Sequence, residues 1–224
     1  MGSLILSEGF SRMLAKGSFS WISGIAILTI LTWFGFRSVS DSFLMSSILF
    51  LLFIIAASLT IFFIIFFRDP QRSPPGDEDD AVSPADGKVI SIQDRTICIF
   101  MNIHNVHVNR APLSGIVTHI DYKPGGYIPA FNKDSHVNER NHVVMNTDAG
   151  TLELTQIAGV LTRRIVSYIS EGTQLKRGER IGMIRFGSRV DVTMPERYVF
   201  TVKLNDSIKA GQTIIAVKKE KLGK

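Results

Sequence analysis

The segment Arg185-Phe186-Gly187-Ser188-Arg189-Val190-Asp191 sets a Gly-Ser pair inside an otherwise strand-like pattern. Glycine weakens a strand interior and often marks a bulge or a close approach. A serine hydroxyl beside a glycine carbonyl is also the smallest arrangement that can undergo an N→O acyl shift, although a lone Gly-Ser pair is commonplace. Such a hydroxyl is a weak nucleophile and needs a base. His104-Asn105-Val106-His107 supplies two imidazoles, the side chain suited to proton transfer near neutral pH. In a straight strand positions 104 and 107 point to opposite faces, whereas a turn or bulge lets both reach one site. No Cys or Glu stands at a useful spacing from them, so no metal site is expected. Asp86-Gly87, within Val82-Ser-Pro-Ala-Asp-Gly-Lys-Val89, is a tight-turn signal that needs no function to explain it. The polar run Asn132 to Asn141 reads as a loop, either solvated or a lid over substrate.

The elements that must position these residues divide the chain. Phe19 to Phe36 and Ser42 to Phe67 are runs of 18 and 26 residues without a charge. About 20 apolar residues cross the hydrocarbon of a bilayer, so the two runs predict a transmembrane helical hairpin over 19–67. Trp21 and Trp33 lie near the ends of the first run, where interfacial aromatics are common. A cleaved signal peptide is disfavoured, because no small-x-small site follows the first run and a longer apolar run comes at once. Arg12 and Lys16 precede the hairpin, Arg68 and Arg72 follow it, and only Arg37 lies between the runs. The basic flanks predict both ends on the cytoplasmic side of the cell membrane.

Residues 1–18 form an N-terminal segment, and 68–81, with its prolines and Gly-Asp-Glu-Asp-Asp, reads as an extended connector. From 82 to 224 short β-type segments alternate with Gly, Pro and Asn turns. They are Lys88–Ile92, Thr96–Met101, Gly115–Ile120, His142–Asn146, Thr151–Ile157, Ile165–Ile169, Ile181–Phe186, Arg189–Thr193, Tyr198–Lys203 and Thr213–Lys218. One or two helical stretches are expected, the best at Gln156–Arg164. The pattern predicts a mainly β domain, a sandwich or barrel. Leu175-Lys-Arg-Gly178-Glu-Arg-Ile181 returns 33 residues later as Ile208-Lys-Ala-Gly211-Gln-Thr-Ile214, which resembles the turns of biotinyl/lipoyl-type domains.

The composition narrows the function. One cysteine, Cys98, excludes an intramolecular disulfide framework. The net charge of +5 suits an anionic partner. The basic residues are dispersed with few interleaved aromatics, which argues against nucleic acid. A non-enzymatic membrane adaptor or carrier with a biotinyl/lipoyl-like domain is the alternative to an enzyme. Against it, no lysine stands where a carrier turn is modified.

Six motifs in order then resemble the phosphatidylserine decarboxylase family in its short form. They are Phe67-Arg-Asp-Pro70, Ser83-Pro-Ala-Asp-Gly87, Asn105-Val-His107 with Arg110-Ala-Pro112, Asn138-Glu-Arg-Asn141, Gln156-Ile-Ala-Gly159 with Arg163-Arg164, and Arg185-Phe-Gly-Ser-Arg189. Longer family members carry Leu-Gly-Ser-Thr at the last site; here Phe186 and Arg189 flank an intact Gly-Ser pair.

The resemblance implies a proenzyme. Ser188 attacks the Gly187 carbonyl, the resulting ester eliminates, and the dehydroalanine left at 188 hydrolyses to a covalent pyruvoyl group. The products are a β chain of 1–187 and an α chain of 188–224, held together as a heterodimer and, by the same resemblance, expected to pair again as a homodimer. It assigns His107 as base, Asp86 as the carboxylate that orients it, and His104 to the substrate. The pyruvoyl ketone takes the substrate amine as a Schiff base and accepts the electrons released with CO2. The substrate is an anionic serine phospholipid, phosphatidylserine or archaetidylserine. Arg110, Arg163, Arg164 and Arg189 are candidates for its phosphate or carboxylate.

Overall fold

The computed structural model describes residues 13–39, 42–126, 138–159, 165–185 and 188–222. The chain divides after Pro70 into a helical unit and a β unit.

The helical unit contains α1 (Phe19–Ser38) and α2 (Phe43–Phe66). Both are long and apolar enough to cross a membrane, and neither hides its apolar residues inside the protein. Leu31, Phe34, Leu51 and Ile61 are exposed, which suits hydrocarbon rather than water. The helices meet through Trp33 on Phe53, with centroids 5.0 Å apart, and through the hydroxyls of Thr29 and Thr60 at 3.0 Å. Such polar contacts tie helices together in lipid. The flanking segments pair as well: Ala15 N–H donates to Phe67 O (2.8 Å) and Asp69 N–H to Met13 O (2.6 Å). Both ends of the hairpin therefore emerge on one side, and the chain is membrane-associated.

The β unit has fourteen strands among the described residues: β1 (Ala81–Val82), β2 (Gly87–Gln93), β3 (Thr96–Met101), β4 (Val108–Arg110), β5 (Gly115–Lys123), β6 (Arg140–Thr147), β7 (Gly150–Ile157), β8 (Ile165–Ser167), β9 (Gln174–Leu175), β10 (Arg180–Ile184), β11 (Ser188–Thr193), β12 (Tyr198–Phe200), β13 (Ser207–Ile208) and β14 (Ile214–Lys218). Each of the ten segments expected from the sequence contains a strand, although Ile165–Ile169 ends as a strand at Ser167, Ile181–Phe186 at Ile184 and Tyr198–Lys203 at Phe200. The expected helix at Gln156–Arg164 is not formed at its start: Gln156 and Ile157 complete β7, where they pair with β6 and β11. Residues 160–164 lie outside the described part.

The strands form one eight-stranded sheet, β13-β2-β3-β11-β7-β6-β5-β9, and two three-stranded sheets, β1-β14-β12 and β4-β10-β8. Among the described residues the pairings of these strands are antiparallel. These orders are symmetric. Reading the large sheet from either end matches β13-β2-β3-β11 with β9-β5-β6-β7, and the two small sheets match each other strand for strand.

The hydrogen bonds match too. Val117 N–H donates to Thr173 O (2.9 Å) as Val89 N–H does to Asp206 O (2.9 Å). Gly178 N–H donates to Ala111 O (2.8 Å) as Gly211 N–H does to Ser83 O (2.7 Å). Arg177 N–H donates to Ser114 Oγ (2.9 Å) as Ala210 N–H does to the Asp86 carboxylate (2.8 Å). The 33-residue repeat is thus one arm of a duplicated fold. The other arm sets Ser83-Pro-Ala-Asp-Gly-Lys-Val89 against Ala111-Pro-Leu-Ser-Gly-Ile-Val117.

The two turns of the repeat pack on each other around Arg110. Gly211 has φ +67°, a backbone region that L side chains resist, and a Cβ there would stand 2.9 Å from Arg110 Cδ. Gly211→Ala is expected to cost about 1–3 kcal/mol. Thermal unfolding of the detergent-solubilised protein measures it.

One copy is nested in the other. In the inner copy, β4 to β10, strands β6 and β7 join by a tight turn, with Thr147 opposite Gly150. In the outer copy the matching strands are β3 and β11, with Met101 opposite Ser188, and the whole inner copy occupies the position of that turn. The segment before the connector's end is also less free than its composition suggests. Arg177 donates to Pro75 O and Asp80 O, both at 2.9 Å, so much of 71–80 is docked on the β unit.

Candidate active site

Nesting forces two crossovers to lie side by side. Met101 is paired with Ser188 at one end, and Val108 with Met183 at the other. The outgoing segment 102–107 therefore leads from the first anchor to the second, and Ile184 and Arg185 begin the return from the second. His104 and His107 are on the outgoing segment, and Ser188 stands at the first anchor. Ile184 N–H donates to the His107 carbonyl at 3.2 Å.

Ser188 is fully buried on the inward side of β11, and its Oγ has no hydrogen-bond partner among the described residues. A buried hydroxyl without a partner is costly, so it signals a group held for another purpose. His107 is 1% exposed. His104 is exposed, in a turn closed by Asn105 N–H to Asn102 O (2.9 Å). The turn that the two histidines require is present, and it leaves one imidazole dry and one wet. Gly187 lies outside the described residues.

Asp86 is buried and saturated. Its carboxylate takes a two-pronged ion pair from Arg72, one prong at 3.0 Å, and the Ala210 N–H at 2.8 Å. Val106 N–H reaches Oδ2 at 3.4 Å. The acid thus meets the histidine segment through the backbone of the residue before His107. Arg72, read from the sequence as a cation at the membrane edge, is committed to Asp86 and to the Ala210 carbonyl (2.8 Å). Nothing in the local spacing announces this pair, which joins a proline-rich stretch to a turn.

The arginine candidates separate. Arg110 is buried and donates to Gly178 O at 2.9 Å. Arg189 closes a bidentate pair with Asp191, both contacts at 2.6 Å, which raises the guanidinium pKa further. Arg163 and Arg164 lie outside the described residues. Beside Arg189, burial and then the Asp191 carboxylate push the Cys98 thiol up to about 12. Its thiolate fraction at pH 8 is on the order of 10⁻⁴, so Cys98 should resist a disulfide-exchange reagent until the protein unfolds. A time course with and without denaturant checks this.

The remaining motifs converge beside Ser188. Asn141 Nδ2 donates to Gln156 Oε1 (3.0 Å), and Gln156 Nε2 to Asn109 Oδ1 (2.8 Å). Asn109 Nδ2 lies 3.5 Å from Pro84 O and 3.6 Å from Met101 Sδ. Asn138 donates to Ala158 O at 2.9 Å, and Glu139 accepts from Tyr122 Oη (2.9 Å) and Ile165 N–H (3.0 Å). The polar run expected to be a loop is thus buried at Asn138, Glu139 and Asn141, where its polarity serves internal bonds. Residues 127–137 lie outside the described part. Among the described residues no group of His, Cys, Asp or Glu could hold a metal.

The family description "Phosphatidylserine decarboxylase" matches residues 59–216. An inferred archaetidylserine decarboxylase proenzyme of Methanococcoides burtonii is 48% identical over 207 residues, covering 92% of this chain and 97% of its own. Another, from Methanosarcina acetivorans, is 48% identical over 208 residues, covering 91% and 96%. A phosphatidylserine decarboxylase proenzyme of Oleidesulfovibrio alaskensis is 47% identical over 171 residues, covering 71% and 78%. The matched span runs from the end of α2 to β14 and takes in both crossovers, and on these grounds the chain belongs to the phosphatidylserine decarboxylase family.

Proposed function

We propose that this membrane-associated decarboxylase proenzyme cuts itself between Gly187 and Ser188 and then removes CO2 from a serine phospholipid, phosphatidylserine or archaetidylserine. The observation that carries the reading is the buried Ser188 hydroxyl, without a hydrogen-bond partner among the described residues, beside the crossover bearing His107.

In the first step Ser188 Oγ attacks the carbonyl carbon of residue 187. An O–C bond forms, the 187–188 C–N bond breaks, and the Oγ proton passes through His107 to the departing amine. Burial of Ser188 keeps water from competing for the carbonyl. Asp86, fixed by Arg72 and Ala210, holds Val106 and hence the backbone that carries His107. Loss of the 188 Cα proton then breaks the Cβ–Oγ bond and frees the 187 carboxylate. Water converts the remaining residue to a pyruvoyl group and ammonia. A hydroxyl with no hydrogen bond to the described residues, set at a strand's first residue, suits this conversion. When formed, the group supplies an electron sink for decarboxylation of an amino acid.

The α chain stays in place because β11 lies between β3 and β7, β13 pairs with β2, and β14 pairs with β1. Lys218 reaches Asp79 at 2.9 Å and Lys221 reaches Asp77 at 2.8 Å, adding ion pairs across the cut chain. Exposed His104 acts on the substrate from the solvent side of the same turn. Of the four arginine candidates, Arg110 and Arg189 already bond Gly178 O and Asp191, so Arg163 and Arg164 are the favoured contacts for the headgroup anion. The helices hold the enzyme where its substrate is concentrated, on the cytoplasmic side by the basic flanks.

The test is an assay of the detergent-solubilised protein with each serine phospholipid, following CO2 and the ethanolamine lipid by mass spectrometry. Both lipids present the same reacting headgroup, so release of CO2 from at least one is expected. Cleaved protein that releases CO2 from neither contradicts the reading.

A further inference from the structure

Ser188 and the strand that follows His107 belong to different sheets. Ser188 opens β11 in the eight-stranded sheet, whereas His107 leads into β4 of a three-stranded sheet. Something must hold the two sheets in register at this point. The rung just inside Ser188 reads Val89, Ile99, Val190, Gln156 and Asn141 across five strands. The first three are ordinary core residues. Gln156 and Asn141 are buried amides at positions that face the core.

These amides lead to one residue. Asn109, fully buried on β4, accepts from Gln156 on β7 at 2.8 Å and points its Nδ2 to Met101 Sδ on β3 at 3.6 Å. β7 and β3 are the two neighbours of β11. The Asn109 side chain therefore straddles the strand that begins at Ser188, and its own backbone follows His107 by two residues. Gly182, opposite Asn109 on β10, supports the arrangement. A Cβ there would stand 3.2 Å from Gln156 Nε2 and 2.7 Å from Val166 O, so the small residue leaves room for the amide. Buried polar chains rigidify a site when every member is paired.

We propose that Asn109, through Gln156 and Met101, is a positioning residue that sets the Ser188 hydroxyl at attacking distance from the carbonyl of residue 187 and within reach of His107. The inference rests on the self-cleavage reading above.

The test uses the full chain in a pulse-chase of cell-free synthesis with detergent, following conversion of the intact chain to two fragments. Asn109→Ala is expected to slow conversion by about 10²-fold, the effect of a misplacement near 1 Å. Because Asn109 acts through the alignment of His107 with Ser188, Asn109→Ala added to His107→Ala should slow conversion little further. Two independent losses would multiply. Melting of Asn109→Ala in the Ser188→Ala background, where no chain is cut, should remain cooperative and above the assay temperature. If alanine melts below it, Gln156→Met keeps the volume, removes the hydrogen bonds and replaces it in the same comparison. A wild-type rate in the folded variant, or full multiplication with His107→Ala, overturns the inference while self-cleavage stands. A wild-type chain that never cuts overturns both.

Discussion

Ser188→Ala leaves a single chain of 24.9 kDa and abolishes release of CO2. The effect is all-or-none because one oxygen serves two purposes in the proposed route. It is the nucleophile that opens the 187–188 bond, and its carbon framework becomes the electron sink. Removing a buried hydroxyl with no hydrogen-bond partner among the described residues costs the fold little, since none of them is orphaned and only one small atom is lost. The variant should therefore fold and bind membranes like the parent while losing both activities. Denaturing electrophoresis and a CO2 assay read the two losses separately. Decarboxylation by an uncut Ser188→Ala chain would place the electron sink elsewhere.

His107→Ala is expected to slow self-cleavage by about 10²–10⁴-fold, the usual contribution of a positioned general base. The comparison with His104 makes the assignment specific. His107 is buried at the crossover and His104 is exposed in the turn, so the two should fail at different stages. His107→Ala accumulates the uncut chain. His104→Ala cuts at close to the normal rate but gives a cut enzyme with impaired release of CO2. The two variants, followed by the same fragment and CO2 measurements, would contradict the assignment if both accumulated uncut chain.

Much of this was legible in the sequence, for physical reasons that also explain the gaps. The hairpin was legible because lipid demands long uncharged runs, and those runs leave little ambiguity. Ten strands were legible from alternation and turn residues, including β8 and β12, whose three residues each lie within longer β-type runs of the sequence. Strands β1, β4, β9 and β13 have only two or three residues each, too few to alternate. They matter because they stitch the two copies together. The 33-residue repeat was visible at Gly178 and Gly211, where turn geometry restricts the choice. Its other arm shares little beyond Pro84 and Pro112, Gly87 and Gly115, and Val89 and Val117, so the nesting was not visible. Gln156 misled the helix expectation because its polarity looked like an exposed face, whereas it is bonded inside the sheet. The bond between Arg72 and Asp86 has no local sequence signal. The proposed nucleophile and histidines were picked out by chemistry and order, but only nesting explains why segments about 80 positions apart share the Met101–Ser188 and Val108–Met183 anchors.

The most direct measurement is the intact mass of the purified protein under denaturing conditions. The account predicts two components, the smaller comprising residues 188–224 at about 4 kDa and blocked to amino-terminal sequencing because a pyruvoyl group stands where the amine would be. A catalytically active preparation that shows only the uncut 24.9 kDa chain would contradict it.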